Sequence, residues 1–439
     1  MFRITMIGAP DPVLGFDGAR IYGSEAAAEG RPPPAQLEGA VACLQPLAEG
    51  GARIVRDRLG LGKLFWARGA GGELVFAPRP ADLVRAGYRF ADIASVPRGQ
   101  VIALDARGEI ASRGAVRPAG PVPRVAGDVG AAGEAIRQGL DGYLAALSAA
   151  YPDRRAYLCL SGGLDSSTVA VLASRYFPKL TAVSFDLAHA DGEASEDRVV
   201  AERLAADLGI RVLEATVTPD TLLSYLDLVL VAGIDWRDFN VHCALVNAAL
   251  AAAIDADRAR DDEPPIVITG DLPNELLVDY EAETYKGSTY YALPRIERSI
   301  LRRVLVDGLD SCHREVGVFS AFGLVTAQPY AACVDAYLGL PADFLAREDR
   351  KERLVEAIVG DELPGYIYRR PKVRAQIGDS RGGGTLATCI DRGIDGRWLR
   401  RRFAELHEAG GDEALDGFIR AGRYRSAVPA AAKETYGHG

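Results

Sequence analysis

One glycine- and serine-rich segment, residues 158–173, constrains this chain more than any other. Its sequence, LCLSGGLDSSTVAVLA, runs from apolar residues through Ser-Gly-Gly and Asp-Ser-Ser into a second apolar run. This pattern predicts a buried strand, a tight turn and a helix that begins at Ser166. Glycines let the backbone approach a bulky anion, and the free N–H groups of a helix start point at it. The segment is therefore predicted to cradle a phosphate chain.

The polar residues of this loop form the predicted phosphate site. Serine hydroxyls add donors, and Asp165 offers a hard oxygen ligand for Mg²⁺ carried by phosphates. The loop is not a Walker loop, since the lysine of GxxxxGK[ST] is missing. The residues predicted to bind phosphates here are Ser161, Gly162, Gly163, Asp165, Ser166 and Ser167.

Alternating apolar runs and helical segments predict the fold around the loop. Strands are expected at residues 156–160, 180–185, 211–215 and 266–269, with helices from Ser166 and over residues 193–208. This alternation is typical of a doubly wound parallel α/β sheet, in which ligands bind beyond the carboxyl ends of the strands. Beyond about residue 285 the sequence predicts mostly helix, as a C-terminal extension.

The first part of the chain has a different texture. Short strands bounded by turn residues are expected at residues 53–55, 64–67, 73–77 and 100–105. Residues 117–124, RPAGPVPR, carry three prolines and a glycine and predict a linker, followed by a helix over residues 130–149. We therefore expect a smaller β-rich domain at residues 1–120 and an α/β domain at residues 121–439.

Composition narrows the environment and the partners. The net charge of −9 argues against a nucleic acid or an anionic membrane as partner. The six cysteines include no CxxC pair, which favours reduced thiols in a cytoplasmic protein over a zinc site or disulfides. The start of the chain does not resemble a signal peptide, and the apolar run at residues 244–254 is too short to span a membrane.

Several motifs, in the right order, resemble the asparagine synthetase and β-lactam synthetase family. SGGLDSS resembles the pyrophosphate loop of ATP pyrophosphatases, and residues 267–280, VITGDLPNELLVDY, resemble SG[DE]GxDExxxGY. Residues 368–378, YRRPKVRAQIG, resemble the R-x-K segment, and residues 326–330 and 351–354 fit neighbouring stretches of the family. The resemblance covers most of residues 150–380 and implies an adenine nucleotide α-hydrolase-like fold.

The N-terminal region resembles the glutaminase domain of the same family. Residues 56–67, RDRLGLGKLFWA, look like its RDPLGxxPLYY segment. That domain uses a cysteine directly after the initiator methionine as nucleophile. This chain has Phe2 there, and Cys43 is expected to be a core residue. The resemblance therefore implies a vestigial, Ntn-type domain that does not hydrolyse glutamine.

The resemblance also implies roles outside the loop. Lys372 would balance charge on the phosphates and the oxyanion, while Asp271 or Glu315 would take a proton from the amine; a helix-surface role is the competing interpretation of Glu315. Asn274 stands where the family has a magnesium-binding aspartate, so metal would be held more weakly. The implied catalytic residues are Lys372, Asp271 and Glu315; further ATP contacts are Val183, Ser184, Phe185 and Gly270; metal ligands are Asp165 and Asn274.

Substrate recognition is less clearly encoded. Residues 235–242 fall near the loop that lines the acyl pocket of relatives, although charged loops are commonly just solvated. The expected partners are a small-molecule or peptide carboxylate and an amine nucleophile, with ATP and Mg²⁺ as cofactors. The sequence is compatible with a homodimer.

The predicted function is an AMP-forming amide synthetase that works without glutamine hydrolysis, in specialised natural-product or antibiotic biosynthesis. One alternative is an intramolecular lactam or macrolactam cyclase of the β-lactam synthetase or lasso cyclase type. Another is a non-catalytic regulatory or binding relative, for which Asn274 is the best evidence and the intact SGGLDSS the counter-evidence. A tRNA-thiolating pyrophosphatase is disfavoured by the acidic net charge.

Overall fold

Three small sheets make up the N-terminal region. The structure is a computed structural model and describes residues 3–118, 128–188, 193–258, 263–312, 314–370 and 384–430. The sheets have the strand orders β1-β8-β7-β9, β11-β10-β6-β5 and β3-β2-β4, and every strand pair except β1–β8 is antiparallel. The elements are β1 (Ile4–Met6), β2 (Leu14–Phe16), β3 (Ile21–Gly23), α1 (Ser24–Ala28), β4 (Glu38–Ala40), β5 (Ala42–Pro46), β6 (Ala52–Arg56), β7 (Phe65–Arg68), β8 (Leu74–Ala77), α2 (Pro80–Arg85), β9 (Ala94–Ser95), β10 (Gln100–Leu104) and β11 (Ile110–Ala115). The predicted β-rich N-terminal region is confirmed.

A parallel α/β unit follows. Its elements are α3 (Val129–Ala150), β12 (Ala156–Cys159), α4 (Leu164–Ala173), β13 (Leu180–Leu187), α5 (Glu196–Leu208), β14 (Arg211–Val217), α6 (Pro219–Ser224), α7 (Leu226–Ala232), α8 (Asp238–Asp257), β15 (Ile266–Ile268), α9 (Pro273–Leu277), β16 (Glu283–Tyr285), β17 (Ser288–Tyr290), α10 (Arg298–Gly308), α11 (Arg314–Ala321) and β18 (Val325–Ala327). Five of these strands form one all-parallel sheet in the order β14-β13-β12-β15-β18. The predicted doubly wound parallel fold is confirmed.

The strand order reverses between β12 and β15. The chain first adds β13 and β14 on one side of β12 and then adds β15 and β18 on the other. In open α/β sheets, such a switch point opens a crevice beyond the carboxyl ends of the strands. The loops that follow β12 and β15 border this crevice, and they are the loops that carry Ser161 and Asp271.

The C-terminal part is mostly helical, as expected. Its elements are α12 (Val334–Leu338), α13 (Ala342–Ala346), α14 (Arg350–Val359), α15 (Gly365–Tyr368), α16 (Gly384–Asp391), α17 (Gly396–Leu406), α18 (Asp412–Phe418) and the hairpin β19 (Ile419–Arg420) and β20 (Arg423–Tyr424). Short 3₁₀ turns lie at Phe90–Asp92, Leu309–Ser311, Pro329–Cys333 and Gly360–Glu362.

Two predicted helix boundaries need correction, and one strand was not predicted. The helix after the pyrophosphate loop begins at Leu164 and not at Ser166, because the extended Gly163 is its N-cap. The helix expected from residue 193 begins at Glu196, after Ser195 caps it by accepting a hydrogen bond from the Arg198 amide. The three-residue strand β18 was missed, since its segment matched a family motif and not a strand pattern. Of the predicted linker, residues 119–124 lie outside the described residues.

The hydrophobic cores on the two faces of the parallel sheet both include N-terminal residues. On one face, Leu14 and Phe16 join α3 and α4, and the Phe16 ring lies 5.6 Å from that of Tyr143. On the other face, Phe65 and Ala67 join the core that contains α8. The N-terminal sheets are therefore packed directly onto the α/β unit.

Helix α8 is longer than its apolar run suggested. By length and composition alone it could cross a membrane, unlike the shorter stretch at residues 244–254 expected from the sequence. Within its most apolar window, 56% is buried inside the protein. Leu245, Ala248 and Ala251 lie in the same core as β13 and α11, so α8 serves here as a core helix.

Candidate active site

The pyrophosphate loop, residues 161–167, is braced by its own serines. Ser161 Oγ lies 3.2 Å from Ser166 Oγ and accepts a hydrogen bond of 3.3 Å from the Gly163 amide. Gly162 has a φ of +70°, and a Cβ atom there would lie only 2.6 Å from a methyl carbon of Val200. Glycine is thus required both by the backbone conformation and by the close approach of α5.

A second loop touches the first at Gly270. A Cβ atom on Gly270 would lie 2.8 Å from the amide nitrogen of Ser166, so no larger residue fits without moving the start of α4. The contact places Asp271, the next residue, beside the pyrophosphate loop. The structure therefore brings together Gly270 and the loop serines, which the sequence predicted to share a site.

Three buried hydroxyl groups near this contact have no hydrogen-bond partner among the described residues. Ser167 Oγ, Ser184 Oγ and Thr269 Oγ1 are buried and have no hydrogen-bond partner within the part of the chain that the structure describes. Ser184 lies on β13 beside Val183, whose carbonyl accepts from the Leu160 amide at 2.9 Å, and Thr269 directly follows β15. Buried polar groups normally have partners, so unmet groups on three neighbouring elements fit a polar ligand such as a nucleotide.

The other predicted adenosine contacts are core residues. Val183 and Phe185 are 0% and 7% exposed and pack in the core that contains α8. A nucleotide would meet them mainly through the backbone of β13, and a role for their side chains stays a prediction.

Asp165 and Asn274, the two predicted metal ligands, face each other across a lysine. Lys351 Nζ, from α14, lies 2.6 Å from Asp165 Oδ2 and 2.6 Å from Asn274 Oδ1. It also lies 2.8 Å from Asp279 Oδ2. Burial lowers the pKa of Lys351, but Asp165 and Asp279 outweigh that effect and raise it overall, so the side chain is an ammonium ion. Sequence reasoning assigned no site role to Lys351 or Asp279.

The same oxygens test whether Mg²⁺ fits. Two carboxylates and an amide oxygen converge on one cation, and hard oxygen donors of this kind suit Mg²⁺. Among the residues that the structure describes, no group of three or more His, Cys, Asp or Glu side chains could hold a metal ion by itself. The buried Lys351 ammonium fills the point where these oxygens meet, so Mg²⁺ carried by ATP would have to displace it.

The two predicted catalytic carboxylates flank one buried arginine. Arg314 Nε lies 2.6 Å from Glu315 Oε1, and Arg314 Nη2 lies 3.7 Å from Asp271 Oδ1. We call Asp271, Arg314 and Glu315 the catalytic cluster. Glu315 is 6% exposed, so its alternative interpretation as a helix-surface glutamate is wrong. Asp271 keeps 31% of its side chain exposed and forms the accessible side of the cluster.

Burial is the main cause of the raised pKa of Glu315. Loss of solvation raises its pKa to about 8, although the neighbouring Arg314 opposes the rise and the Asp271 charge adds to it. A carboxyl group with such a pKa can both accept and release a proton near neutral pH. Arg314 was missed from the sequence, where it appears only as a charge at the start of a helix.

Residues 235–242 line the catalytic cluster and are not a solvated loop. Asn240 Oδ1 accepts a hydrogen bond of 3.1 Å from Arg314, and Phe239 packs edge-on against Tyr280 and Tyr291 at centroid distances of 5.2 Å. His242 is buried beside Tyr291, with its Nδ1 2.5 Å from the hydroxyl, and burial lowers its pKa to about 4. A neutral, largely aromatic wall therefore borders the cluster.

Glu275 and Tyr280 form a buried, hydrogen-bonded pair next to this aromatic wall. The Tyr280 hydroxyl donates to Glu275 Oε1, and burial raises the pKa of both groups. Glu275 also lies 4.0 Å from Arg314 Nη2. Since the pair is enclosed, its contacts support the loop that carries Asp271.

Lys372 lies outside the described residues. The chain before it reaches the pyrophosphate loop: Arg370 Nη1 donates to the Ser161 carbonyl at 3.0 Å and its other terminal nitrogen pairs with Asp197. The family motif around Lys372 thus starts beside the site, and the role of Lys372 itself stays a prediction.

The N-terminal RDRLG motif forms a buried charge cluster against the α/β unit. Arg56, fully buried, pairs with Asp310 at 2.5 Å and donates to the Gly62 carbonyl at 2.9 Å. Asp57 accepts from the amides of Gly60, Leu61 and Gly62, and Lys63 reaches the Leu309 carbonyl at 3.3 Å. We call Arg56, Asp57, Lys63 and Asp310 the RDRLG cluster. Residues 309–311 lie just before Arg314, so this cluster supports the segment that leads to the catalytic cluster.

A family comparison agrees with this geometry. Residues 148–309 match the asparagine synthase family model. The match covers just over a third of the chain and includes β12 to β15, the pyrophosphate loop, Gly270, Asp271 and Asn274.

A search of the solved structures found similarity to two synthetases, both at low TM-scores. The NH₃-dependent NAD synthetase from Campylobacter jejuni is 20% identical, with 39% of this chain and 72% of that chain covered and a TM-score of 0.25. The NMN synthetase from Francisella tularensis is 18% identical, with 54% of this chain and 96% of that chain covered and a TM-score of 0.27. A search of the curated proteins found no match.

Proposed function

We propose that this protein is an AMP-forming amide synthetase that activates a carboxylate as an acyl-adenylate. The observation that carries the proposal is the contact of the pyrophosphate loop with the Gly270 loop at the switch point of the sheet. A substrate at this contact would have the proposed phosphate-binding groups on one side and the catalytic cluster on the other. An acid activated at the α-phosphate would thus lie between them.

In the first step, a substrate carboxylate oxygen bonds to the α-phosphorus of ATP. The bond between the α- and β-phosphates breaks, and pyrophosphate leaves. The hydroxyls of Ser161 and Ser167 would hold the departing phosphates, and Lys372 would offset their charge. Mg²⁺ bound to ATP, near Asp165 and Asn274, would neutralise part of that charge. Most of the catalysis would come from positioning and charge stabilisation.

In the second step, an amine attacks the acyl carbonyl, and the bond to AMP breaks. The attacking nitrogen must lose a proton, which Asp271, the more accessible carboxylate, would accept. Glu315 would share that proton through the cluster, since its raised pKa lets it exist in both forms near neutrality. Arg314 keeps the two carboxylates close without leaving their charges unbalanced.

The amine would not come from glutamine. We propose that residues 1–120 are a glutaminase-like domain that has a supporting role only. Its buried thiol, Cys43, is 8% exposed, and burial raises its pKa to about 12, so it is a poor nucleophile. The ion pair between Arg56 and Asp310 connects this N-terminal region to the segment that precedes the catalytic cluster.

ATP–pyrophosphate exchange tests the proposal. Exchange would be measured with Mg²⁺ over a panel of amino acids and small carboxylic acids, for wild type, Asp165→Ala and Lys372→Ala. Asp153→Ala is the matched control, an exposed aspartate before β12. We expect exchange that depends on one acid, is lost in the two site variants and survives in the control. Exchange with none of the acids, in a protein that binds ATP, would contradict it.

A further inference from the structure

Three half-buried aromatic residues form a surface beside the catalytic cluster. Phe239 lies in the first turn of α8, and Tyr290 and Tyr291 lie at the end of the hairpin of β16 and β17. The Phe239 and Tyr291 rings pack edge-on with their centroids 5.2 Å apart, and the Tyr290 ring lies 6.4 Å from that of Tyr291. We call these three residues the three-ring surface.

A series of contacts connects the three-ring surface with the pyrophosphate loop. Gly270 touches the start of α4, and Asp271, the next residue, lies 3.7 Å from Arg314. The guanidinium carbon of Arg314 lies 5.6 Å from the centre of the Phe239 ring. A carboxylate that reaches ATP at the pyrophosphate loop would therefore extend the rest of its molecule past Asp271 towards these rings.

Tyr291 is held in a backbone conformation that bulky residues rarely adopt. Its φ of 59° lies in the left-handed region. The Tyr291 hydroxyl lies 2.5 Å from Nδ1 of His242, a buried residue of α8. Residues held in such conformations cluster at ligand-binding and catalytic sites. The placement of this ring therefore favours a role in binding.

The charged side chains next to the three-ring surface pair with one another. Arg237 lies 2.6 Å from Asp235 and donates to the Ser311 carbonyl at 3.1 Å. Asn240 donates to the same Asp235 carboxylate at 2.5 Å. An acid with a second carboxylate, such as aspartate, would bring a like charge towards Asp271, and removing that charge from water without a partner is costly.

We propose that the three-ring surface binds the side chain of the activated acid and selects one that is uncharged and aromatic. A substrate ring would stack on, or pack edge-on against, the rings of Phe239, Tyr290 and Tyr291. Such contacts favour an aromatic ring over an aliphatic group of equal size. The inference rests on the proposed function, because it takes the acid to be activated at the pyrophosphate loop.

Stable mimics of an acyl-adenylate test the proposal without any turnover. Phenylpropanoic, cyclohexylpropanoic, succinic and guanidinobutanoic acid would each be joined to sulfamoyladenosine, and calorimetry would measure the affinity of each conjugate. We expect the phenyl conjugate to bind about fivefold more tightly than the cyclohexyl conjugate. It should bind at least about tenfold more tightly than either charged conjugate.

Phe239→Leu removes one ring and keeps an apolar side chain. The preference for the phenyl over the cyclohexyl conjugate should fall to about twofold or less, whereas general damage to the site would weaken both conjugates alike. Phe322→Leu is the matched control, since Phe322 is a half-buried phenylalanine after α11 that packs against Tyr225. It should keep the wild-type preference. Thermal unfolding of each variant checks that the fold is kept.

Failure of this inference can be told apart from failure of the proposed function. Equal affinity for the phenyl and cyclohexyl conjugates, tighter binding of a charged conjugate, or an unchanged preference in Phe239→Leu would each overturn the inference and leave the proposed function standing. If none of the four conjugates binds, the protein has no acyl-adenylate site, and both proposals are wrong.

Discussion

The RDRLG cluster and the pyrophosphate site both bury polar groups, but they differ in whether those groups have partners within the protein. Arg56 and Asp57 direct their polar atoms to backbone groups and to Asp310, all inside the protein. Around the pyrophosphate loop, by contrast, Ser167 Oγ and Thr269 Oγ1 have no partner among the described residues. A change in the first region should therefore cost folding stability, and a change in the second should cost ligand binding.

The largest expected effect is on stability, from Arg56→Met. It leaves the Asp310 carboxylate, 4% exposed, without its cation, and breaking a buried ion pair in this way typically costs about 3–5 kcal/mol. Urea unfolding would measure the loss. Arg107→Met, an exposed arginine of the same region, should change the free energy of unfolding by less than about 0.5 kcal/mol. Equal effects of the two substitutions would remove the contrast between the regions.

The next effect is on amide formation, from Glu315→Gln. Because burial raises the pKa of Glu315 to about 8, the share of the base form, and with it the rate of the amine step, should rise with pH up to about that value. The glutamine cannot accept the proton, so the rate should fall about 10²-fold and lose this pH dependence. Single-turnover amide formation would be followed against pH, with exposed Glu413→Gln as control. If the rate of amide formation by Glu315→Gln still rises with pH, the deprotonation of Glu315 is not the cause of that rise.

Ser167→Ala should weaken nucleotide binding without affecting the fold. The hydroxyl has no partner within the described chain, so the free energy of unfolding should change by less than about 1 kcal/mol. A lost hydrogen bond to a charged phosphate should weaken ATP binding about tenfold, as measured by calorimetry. Ser174→Ala, at the other end of α4, removes a bond to the Val171 carbonyl and should leave ATP affinity unchanged. If Ser167→Ala instead lowers the free energy of unfolding strongly, the Ser167 hydroxyl stabilises the fold, as the RDRLG cluster does.

The smallest effect concerns the pH dependence of stability. Burial, with the Arg56 charge, lowers the pKa of Lys63 from 10.5 to about 7. Between those values the unfolded chain binds a proton that the native protein does not, so native stability should rise with pH. Compared with Lys63→Met, the free energy of unfolding of wild type should rise by about 1 kcal/mol for each pH unit between about pH 7 and pH 10.5. A constant difference would mean that Lys63 stays charged.

The local pattern of the sequence was sufficient for the parallel sheet and the pyrophosphate loop. Alternating apolar strands and helices predict the fold, and SGGLDSS predicts the turn together with a phosphate ligand. Arg314 and Asp279 could not be found this way, because their roles depend on which distant residues they meet after folding. Arg314 meets Asn240 across the chain, and Asp279 meets Lys351 only because Val278 reverses the backbone.

Oxygen transfer tests the central claim most directly. The acid that supports exchange would be labelled with ¹⁸O in its carboxylate and converted to the amide in the presence of ATP and an amine. Formation of an acyl-adenylate predicts one ¹⁸O atom in the released AMP, since the carboxylate oxygen bonded to the α-phosphorus leaves with it. Label in inorganic phosphate together with ADP would show activation at the γ-phosphate and would contradict the account.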